Sequence, residues 1–218
     1  MILARYCSLV LLPALAAVVL SAPARATAPD GLALDYRVLR DGFEIGRHKV
    51  AFRHDGDAVM TVETEIRISV SVLFITLYSY RLDARETWRG DRLVGLDSTT
   101  DDDGDLYAVR AVAEGDGLRV EAGAKSWTAP ATVVPSSLWR REMARGSLLI
   151  GVEQGEAIPV AFEDIGRETV TARGAEVSAT KVVVSGELER RLWYDDDGIL
   201  VHLRLIARDG SLITYALE

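Results

Sequence analysis

From Met60 the chain alternates. Met60, Val62, Thr64, Ile66, Ile68 and Val70 fall on one face of an extended segment, and Thr61, Glu63, Glu65, Arg67 and Ser69 fall on the other. A period of two marks a half-buried strand. The pattern returns near the C-terminus, where Ile199, Val201, Leu203 and Leu205 alternate with Leu200, His202 and Arg204. Glycine beside aspartate punctuates the chain at Asp41-Gly42, Asp55-Gly56-Asp57, Gly90-Asp91, Asp103-Gly104-Asp105, Gly115-Asp116-Gly117, Asp197-Gly198 and Asp209-Gly210. Asp-Gly selects two-residue turns whose twist matches that of paired antiparallel strands. Proline, which cannot donate to a ladder, is absent between Asp30 and Ala129 and returns only at Pro130, Pro135 and Pro159. A hairpin every 8–12 residues or so predicts an all-β chain, an antiparallel meander of about twelve strands. Closing such a sheet on itself removes exposed edges, so an open or closed barrel is expected, with a two-sheet sandwich as the alternative.

Two segments break the alternation. In Val70-Ser71-Val72-Leu73-Phe74-Ile75-Thr76-Leu77-Tyr78 apolar residues point both ways, with no proline and no glycine from Asp57 to Arg89. The chain either turns a sheet corner here or lays a short apolar flap over one barrel mouth. In Pro135-Ser136-Ser137-Leu138-Trp139-Arg140-Arg141-Glu142-Met143-Ala144-Arg145-Gly146 a serine N-cap, good helix formers, a late arginine and a closing glycine predict a short helix over 137–145. Trp139 and Met143, four apart, would share one face of it.

The N-terminus is of a different kind. Arg5 precedes an uncharged, mostly apolar run of 14 residues at 7–20, and Ala24 and Ala26 then supply the small side chains of an A-x-A cleavage site. A spanning helix needs roughly 20 apolar residues, so residues 1–26 read as a cleaved signal peptide and 27–218 as one β-rich domain without a transmembrane anchor. The periplasm is the expected location. Cleavage removes Cys7, the only cysteine, which excludes disulfides and thiolate-held metal from the rest. It also takes away two arginines and no acid, moving the formal net charge from −8 to −10. Nucleic acid, which needs a concentrated positive face, is thereby excluded as a partner.

Candidate chemistry is sparse. An EF-hand loop beginning at Asp101 would need glycine and glutamate where Leu106 and Val112 stand, so Asp101-Asp102-Asp103-Gly104-Asp105 and Asp195-Asp196-Asp197-Gly198 read as turns. The three histidines lack metal-motif spacing; His54 sits in a turn, His48 shares a face with Val50 and Phe52, and His202 opposes the apolar face. No G-x-S-x-G elbow appears, and Gly115-Asp116-Gly117 precedes a strand, not a helix that could hold a phosphate. No metal and no cofactor is expected. The aromatic residues, Trp88, Trp127, Trp139 and Trp193 with Tyr78, Tyr80 and Tyr194, read first as core. At the mouth of a barrel they could also hold a small apolar molecule. On that reading His48, Phe74, Trp139 and Trp193 are the candidate ligand-binding residues.

Several stretches taken together resemble an uncharacterised family of exported proteobacterial proteins. They are Gly42-Phe43-Glu44-Ile45-Gly46-Arg47-His48-Lys49-Val50-Ala51-Phe52, Val72-Leu73-Phe74-Ile75-Thr76-Leu77-Tyr78, Pro135-Ser136-Ser137-Leu138-Trp139, Leu192-Trp193-Tyr194-Asp195 and Asp209-Gly210-Ser211-Leu212-Ile213-Thr214-Tyr215. The resemblance implies an envelope location and a β architecture and carries no catalytic residue. The pattern is also distantly similar to periplasmic half-barrels that carry lipids or lipoproteins, a likeness of fold that does not fix function. The leading expectation is a non-enzymatic periplasmic barrel that binds a lipid, another apolar small molecule or an envelope component. A scaffold or assembly factor acting on an envelope protein is the second. The third is a hydrolase of envelope material with His48 or His202 as base.

Overall fold

The computed structural model describes residues 31–56, 59–73 and 75–218. The signal-peptide reading of 1–26 and the candidate Phe74 lie outside the described residues. Among these, fifteen strands form one sheet: β1 (Ala33–Arg40), β2 (Phe43–His54), β3 (Val59–Val72), β4 (Ile75–Arg89), β5 (Arg92–Asp102), β6 (Asp105–Glu114), β7 (Gly117–Ala122), β8 (Lys125–Pro130), β9 (Val134–Pro135), β10 (Leu148–Ile150), β11 (Ala157–Ala172), β12 (Ala175–Gly186), β13 (Arg190–Tyr194), β14 (Leu200–Ile206) and β15 (Leu212–Leu217). All ladders are antiparallel except the short β9–β10 pair. The meander expected from the turns is present, with fifteen strands where about twelve were predicted.

Neighbours in the sheet run β8 to β1 and then β15 to β9, so β1 pairs with both β2 and β15. The edges are β8 and β9, which only residues 131–133 separate in sequence. Such a link spans at most roughly 14 Å. The sheet therefore curls until its edges face each other, and no ladder joins them: the barrel is open along one seam.

Alternation sends one face of each strand inward. Tyr36, His48, Ile66, Leu82 and Thr100 stand side by side across β1–β5, and Phe52, Val62, Glu86, Leu96, Ala111 and Val120 form another row across β2–β7. The outer face carries ion pairs such as Arg85–Glu63 and Arg67–Asp83, both 2.6 Å. Exposed pairs of this kind contribute about 0–1 kcal/mol each, so the stability of the sheet comes from its inner face.

That interior is filled by the chain itself. Residues 131–156 leave β8 and carry Leu138, Trp139, Met143, Leu149 and Ile150 into the core, all buried. The helix expected over 137–145 is reduced to one 3₁₀ turn, Arg141–Met143. Leu138 is left-handed (φ 47°) and Arg140 is extended (φ −134°, ψ 141°). The backbone here serves β14 instead: Leu200 N–H donates to the Trp139 carbonyl at 3.1 Å, and Arg140 bridges Ile199. Tertiary pairing overrides local helix propensity. Further along, the Trp127 indole donates to the Gly155 carbonyl at 2.8 Å and the Ser98 hydroxyl to the Val152 carbonyl at 2.6 Å, fixing the inserted segment to β8 and β5.

Outside the barrel, the far half of the β11–β12 hairpin lies against β14 and β15. The Arg173 N–H donates to the Leu217 carbonyl at 2.6 Å, and the Thr171 carbonyl faces the His202 ring at 3.3 Å. The hairpin's register shifts between Asp164 and Gly166, the place where a bulge re-aims a strand. Both faces of β14 are consequently buried from Leu200 to Leu203.

Gly46 pairs with Val38 beside a bulge at Ile45 of β2, where Val38 and Leu39 of β1 face Gly46 and Glu44. A Cβ there would collide with the Arg67 carbonyl oxygen and the Ile68 backbone of β3. Gly46→Ala is expected to cost about 1–3 kcal/mol, the usual penalty for overpacking. At Gly95 a Cβ would meet the Thr87 side chain at 3.5 Å, ordinary contact, so Gly95→Ala should stay near wild type. Urea denaturation of the two variants makes the comparison.

Candidate functional site

Three clusters and one surface contain the chemistry-bearing residues. The first is built on β4, where Glu86 shares the inward face with Leu82, Ala84 and Trp88. Its carboxylate is 1% exposed and accepts two indole N–H bonds, from Trp88 at 2.8 Å and Trp139 at 3.0 Å. Trp139 also meets the Phe52 ring edge-on at 4.8 Å between centroids, the Trp88 ring at 6.1 Å, and the Arg140 guanidinium at 5.3 Å. Burial pushes the Glu86 carboxyl above the usual range, against the donors Ser137, Trp139 and Trp88, which favour the charged form. Glu86 thus ties the inserted segment to the barrel wall and touches no solvent from which a substrate could reach it. It was missed in the sequence, although an acid in phase with Leu82, Ala84 and Trp88 is the signal that could have found it.

The second cluster surrounds His48. Its ring lies 5.1 Å from Tyr36 and 5.6 Å, edge-on, from Tyr215. Burial, and then the Arg190 charge, lower its pKa to about 3, so the imidazole is neutral under ordinary conditions. Its Nε2 meets no hydrogen-bond partner among the described residues. Arg190 donates to the Ser136 carbonyl at 2.8 Å, while Tyr36 and Tyr194 donate to the Leu200 and Leu138 carbonyls at 2.7 and 2.9 Å. Burial lifts the pKa of Tyr215 to about 12 and raises those of Tyr36 and Tyr80 further.

Trp193 belongs to the third cluster, on the opposite side of the sheet. Its indole donates to Glu168 at 3.1 Å and packs edge-on against His202 at 5.2 Å, with Lys181 and Arg204 over its ring at 5.5 and 5.4 Å. The Arg204 Nε–H donates to His202 Nε2 at 3.1 Å. That nitrogen is therefore an acceptor, and Nδ1 carries the proton shared with Thr171. Burial and then the Arg204 charge lower the His202 pKa to about 4, against the Thr171 hydrogen bond. Of the four candidate residues, then, His48 and Trp139 occupy different levels of the interior, Trp193 lies outside it, and Phe74 is not described. The three described candidates do not meet in one place. Among the described residues, neither His48 nor His202 has a carboxylate or hydroxyl partner that would prepare it as a general base.

The acidic runs are turn chemistry. Asp101 accepts the Gly104 N–H at 2.9 Å, Asp102 the Tyr78 hydroxyl at 2.7 Å, and Asp195 the N–H groups of Asp197 and Ile199 at 3.1 and 2.9 Å.

The remaining feature is a surface. Exposed large apolar side chains gather at the end of the barrel where β1–β2, β3–β4, β5–β6 and β14–β15 turn: Phe43, Leu73, Ile75, Leu77, Leu106 and Ile206. Val112 and Ile165 stand apart from that group. The described part of the 70–78 segment is the tip of the β3–β4 hairpin, neither a sheet corner nor a packed lid, with Val70 and Tyr78 half-buried and Leu73, Ile75 and Leu77 exposed to solvent.

These features define a barrel-like all-β domain whose interior is occupied by its own chain. Residues 36–218 match DUF6134, a domain of unknown function, and the chain belongs to that family. A search of the curated proteins finds no match. Among solved structures the chain is similar to a beta-barrel-like protein of domain of unknown function DUF1849 from Brucella abortus. The TM-score is 0.61 at 10% identity, over 85% of this chain and 94% of that one. It is less similar to a DUF1089 family protein from Pseudomonas aeruginosa, with a TM-score of 0.41 at 14% identity, over 71% and 87% of the two chains. The first of these shows a shared fold.

Proposed function

We propose that this chain is an exported, non-enzymatic protein of the cell envelope that works by surface contact and not as a hollow carrier. One observation carries the reading: Trp139 and its neighbours fill the barrel, while large apolar side chains are left in solvent at one end. Exposed apolar surface gathered in one place marks an interaction site. The leader-like residues 1–26 support export, and the neutral, unassisted His48 and His202 support a non-enzymatic role.

A second reading, a bound amphiphile, draws on the buried polar atoms beside His48: its own Nε2 and Arg190 Nε have no partner among the described residues. Photo-crosslinking in the producing cells tests the first reading. A reactive residue in place of Phe43 or Leu106 should give a defined envelope adduct, and one in place of Glu176, at the other end, should give none. Equal labelling from both ends would defeat surface docking. A stoichiometric small molecule in the native mass spectrum, lost on His48→Leu substitution, would favour the amphiphile instead.

A further inference from the structure

The β3–β4 hairpin reaches beyond both neighbours. Its ladder to β2 ends at the Gly46–Ile68 pair, and its ladder to β5 ends at Tyr80–Asp102. Beyond those pairs β4 is still tied to the β5–β6 turn, where the Asp103 N–H donates to the Ser79 carbonyl at 2.8 Å and the Tyr78 hydroxyl to Asp102 at 2.7 Å. Past Tyr78 the described parts of the two strands pair only with each other, down to Val72 opposite Ile75. From Ile68 to Tyr80 the sequence holds no charged residue. Leu73 is 85% exposed, Ile75 64% and Leu77 60%.

Two costs fall on the same residue. Leu73 adopts φ 48°, a left-handed conformation that a bulky side chain rarely takes, and it buries almost nothing in return. At the equivalent turns β1–β2 and β5–β6 the chain places Asp41-Gly42 and Asp103-Gly104, the residues that such turns favour. Strain kept where no internal contact repays it points to an external one.

We propose that this tip, in its described residues 70–73 and 75–77, inserts shallowly into the surface of an uncharged, zwitterionic phospholipid bilayer and anchors the barrel there through Leu73, Ile75 and Leu77. The proposal rests on the envelope-contact reading and names the component contacted. The tip is convex and free of charge, so it fits an apolar phase without requiring a complementary pocket. Phe43 and Leu106, each 78% exposed, flank turns at the same end, where one continuous surface could meet several separate apolar points. A folded protein partner would need a separate cavity for each.

Depth and charge are consistent with this occupant. Four residue pairs of hairpin measure roughly 13 Å, and interfacial elements bury their apolar side about 5–10 Å. The unpaired strand edges forbid deeper entry, because backbone groups in hydrocarbon must be satisfied. Asp101, Asp102, Asp103 and Asp105 border the tip through the β4–β5 and β5–β6 pairs and would repel anionic headgroups.

The test is flotation with phosphatidylcholine vesicles, using the protein purified in the form its own cells leave it. Wild type should float. The double variant Leu73→Asp/Leu77→Asp should lose at least tenfold in bound fraction, with near-ultraviolet circular dichroism and thermal midpoint unchanged, and phosphatidylglycerol in the vesicles should weaken wild-type binding. In a second measurement, the emission of Leu73→Trp should shift to the blue on vesicle addition and be quenched by brominated acyl chains. The proposal is overturned if wild type stays with the buffer, if the aspartates change nothing, or if the Leu73→Trp emission does not move. A protein adduct from Phe43 or Leu106 without vesicle binding would overturn the bilayer anchor and leave the envelope-contact reading standing. A dimer that the aspartates dissolve would assign the tip to a second copy and overturn it as well.

Discussion

Trp139→Ala is expected to unfold at a markedly lower urea concentration than wild type, with a loss of about 3–5 kcal/mol. For a domain of this size that lowers the thermal midpoint by roughly 6–20 °C. The side chain is buried and reaches β2 through Phe52 and β4 through Trp88 and Glu86, while its carbonyl holds β14. Truncation leaves a large cavity and removes one of the donors that compensate a buried carboxyl. Trp193→Ala is the contrast: its ring lies on the outer side of the sheet under Lys181 and Arg204, so its loss should leave the inserted segment in place. If Trp139→Ala cost less than about 1 kcal/mol, the inserted segment would not be part of the core.

Stability is expected to fall as pH is lowered through the range where free histidine titrates. The folded-state pKa is about 3 for His48 and about 4 for His202, both below the ordinary value of 6.5. Between those limits the unfolded chain binds more protons than the folded one, so stability rises with pH there, by up to about 1.4 kcal/mol per pH unit for each histidine. Glu86 acts in the other direction. Its folded pKa is raised above 4.5, so its contribution is present at low pH and is lost as pH rises through the folded value. Glu86→Gln should therefore steepen the acid dependence, and the double variant His48→Gln/His202→Gln should flatten or invert it. Urea midpoints measured from about pH 7 down to about pH 4 give the slopes; a wild-type slope that the histidine variants leave unchanged would contradict the assignment.

The turns were legible because this chain spells most of them in one dialect. Asp41-Gly42 and Asp103-Gly104 each join two strands through a left-handed pair of positions, which selects those residues, and Asp209-Gly210 lies in a longer turn where Gly210 alone is left-handed. The β3–β4 turn could not be read, because Leu73 occupies a position that turn chemistry would give to another residue. The segment at 137–145 misled for a different reason. Its local signals favour a helix, but pairing of Trp139 and Arg140 with β14 decides its backbone, and that partner is some sixty residues away. Among site residues, the inward direction of His48 followed from alternation with Val50 and Phe52. Trp193, read first as core, is buried, but the outer face on which it and His202 lie is buried by the β11–β12 hairpin folding over it, a contact no local pattern announces.

The open seam carries one more consequence, for the order in which the sheet can assemble. Its two edges are neighbours in sequence at β8 and β9, whereas its centre joins the first strand to the last through the Tyr36–Leu217 register. Every other ladder connects segments close along the chain. A circular permutant that fused the last strand to the first and began at β9 would have spatial order equal to chain order, and no remote strand pairing would be left to close. Among the described strands, β1 in the natural connectivity meets its second neighbour only when β15 has been synthesised, so the middle of the finished sheet is the last part to be sealed.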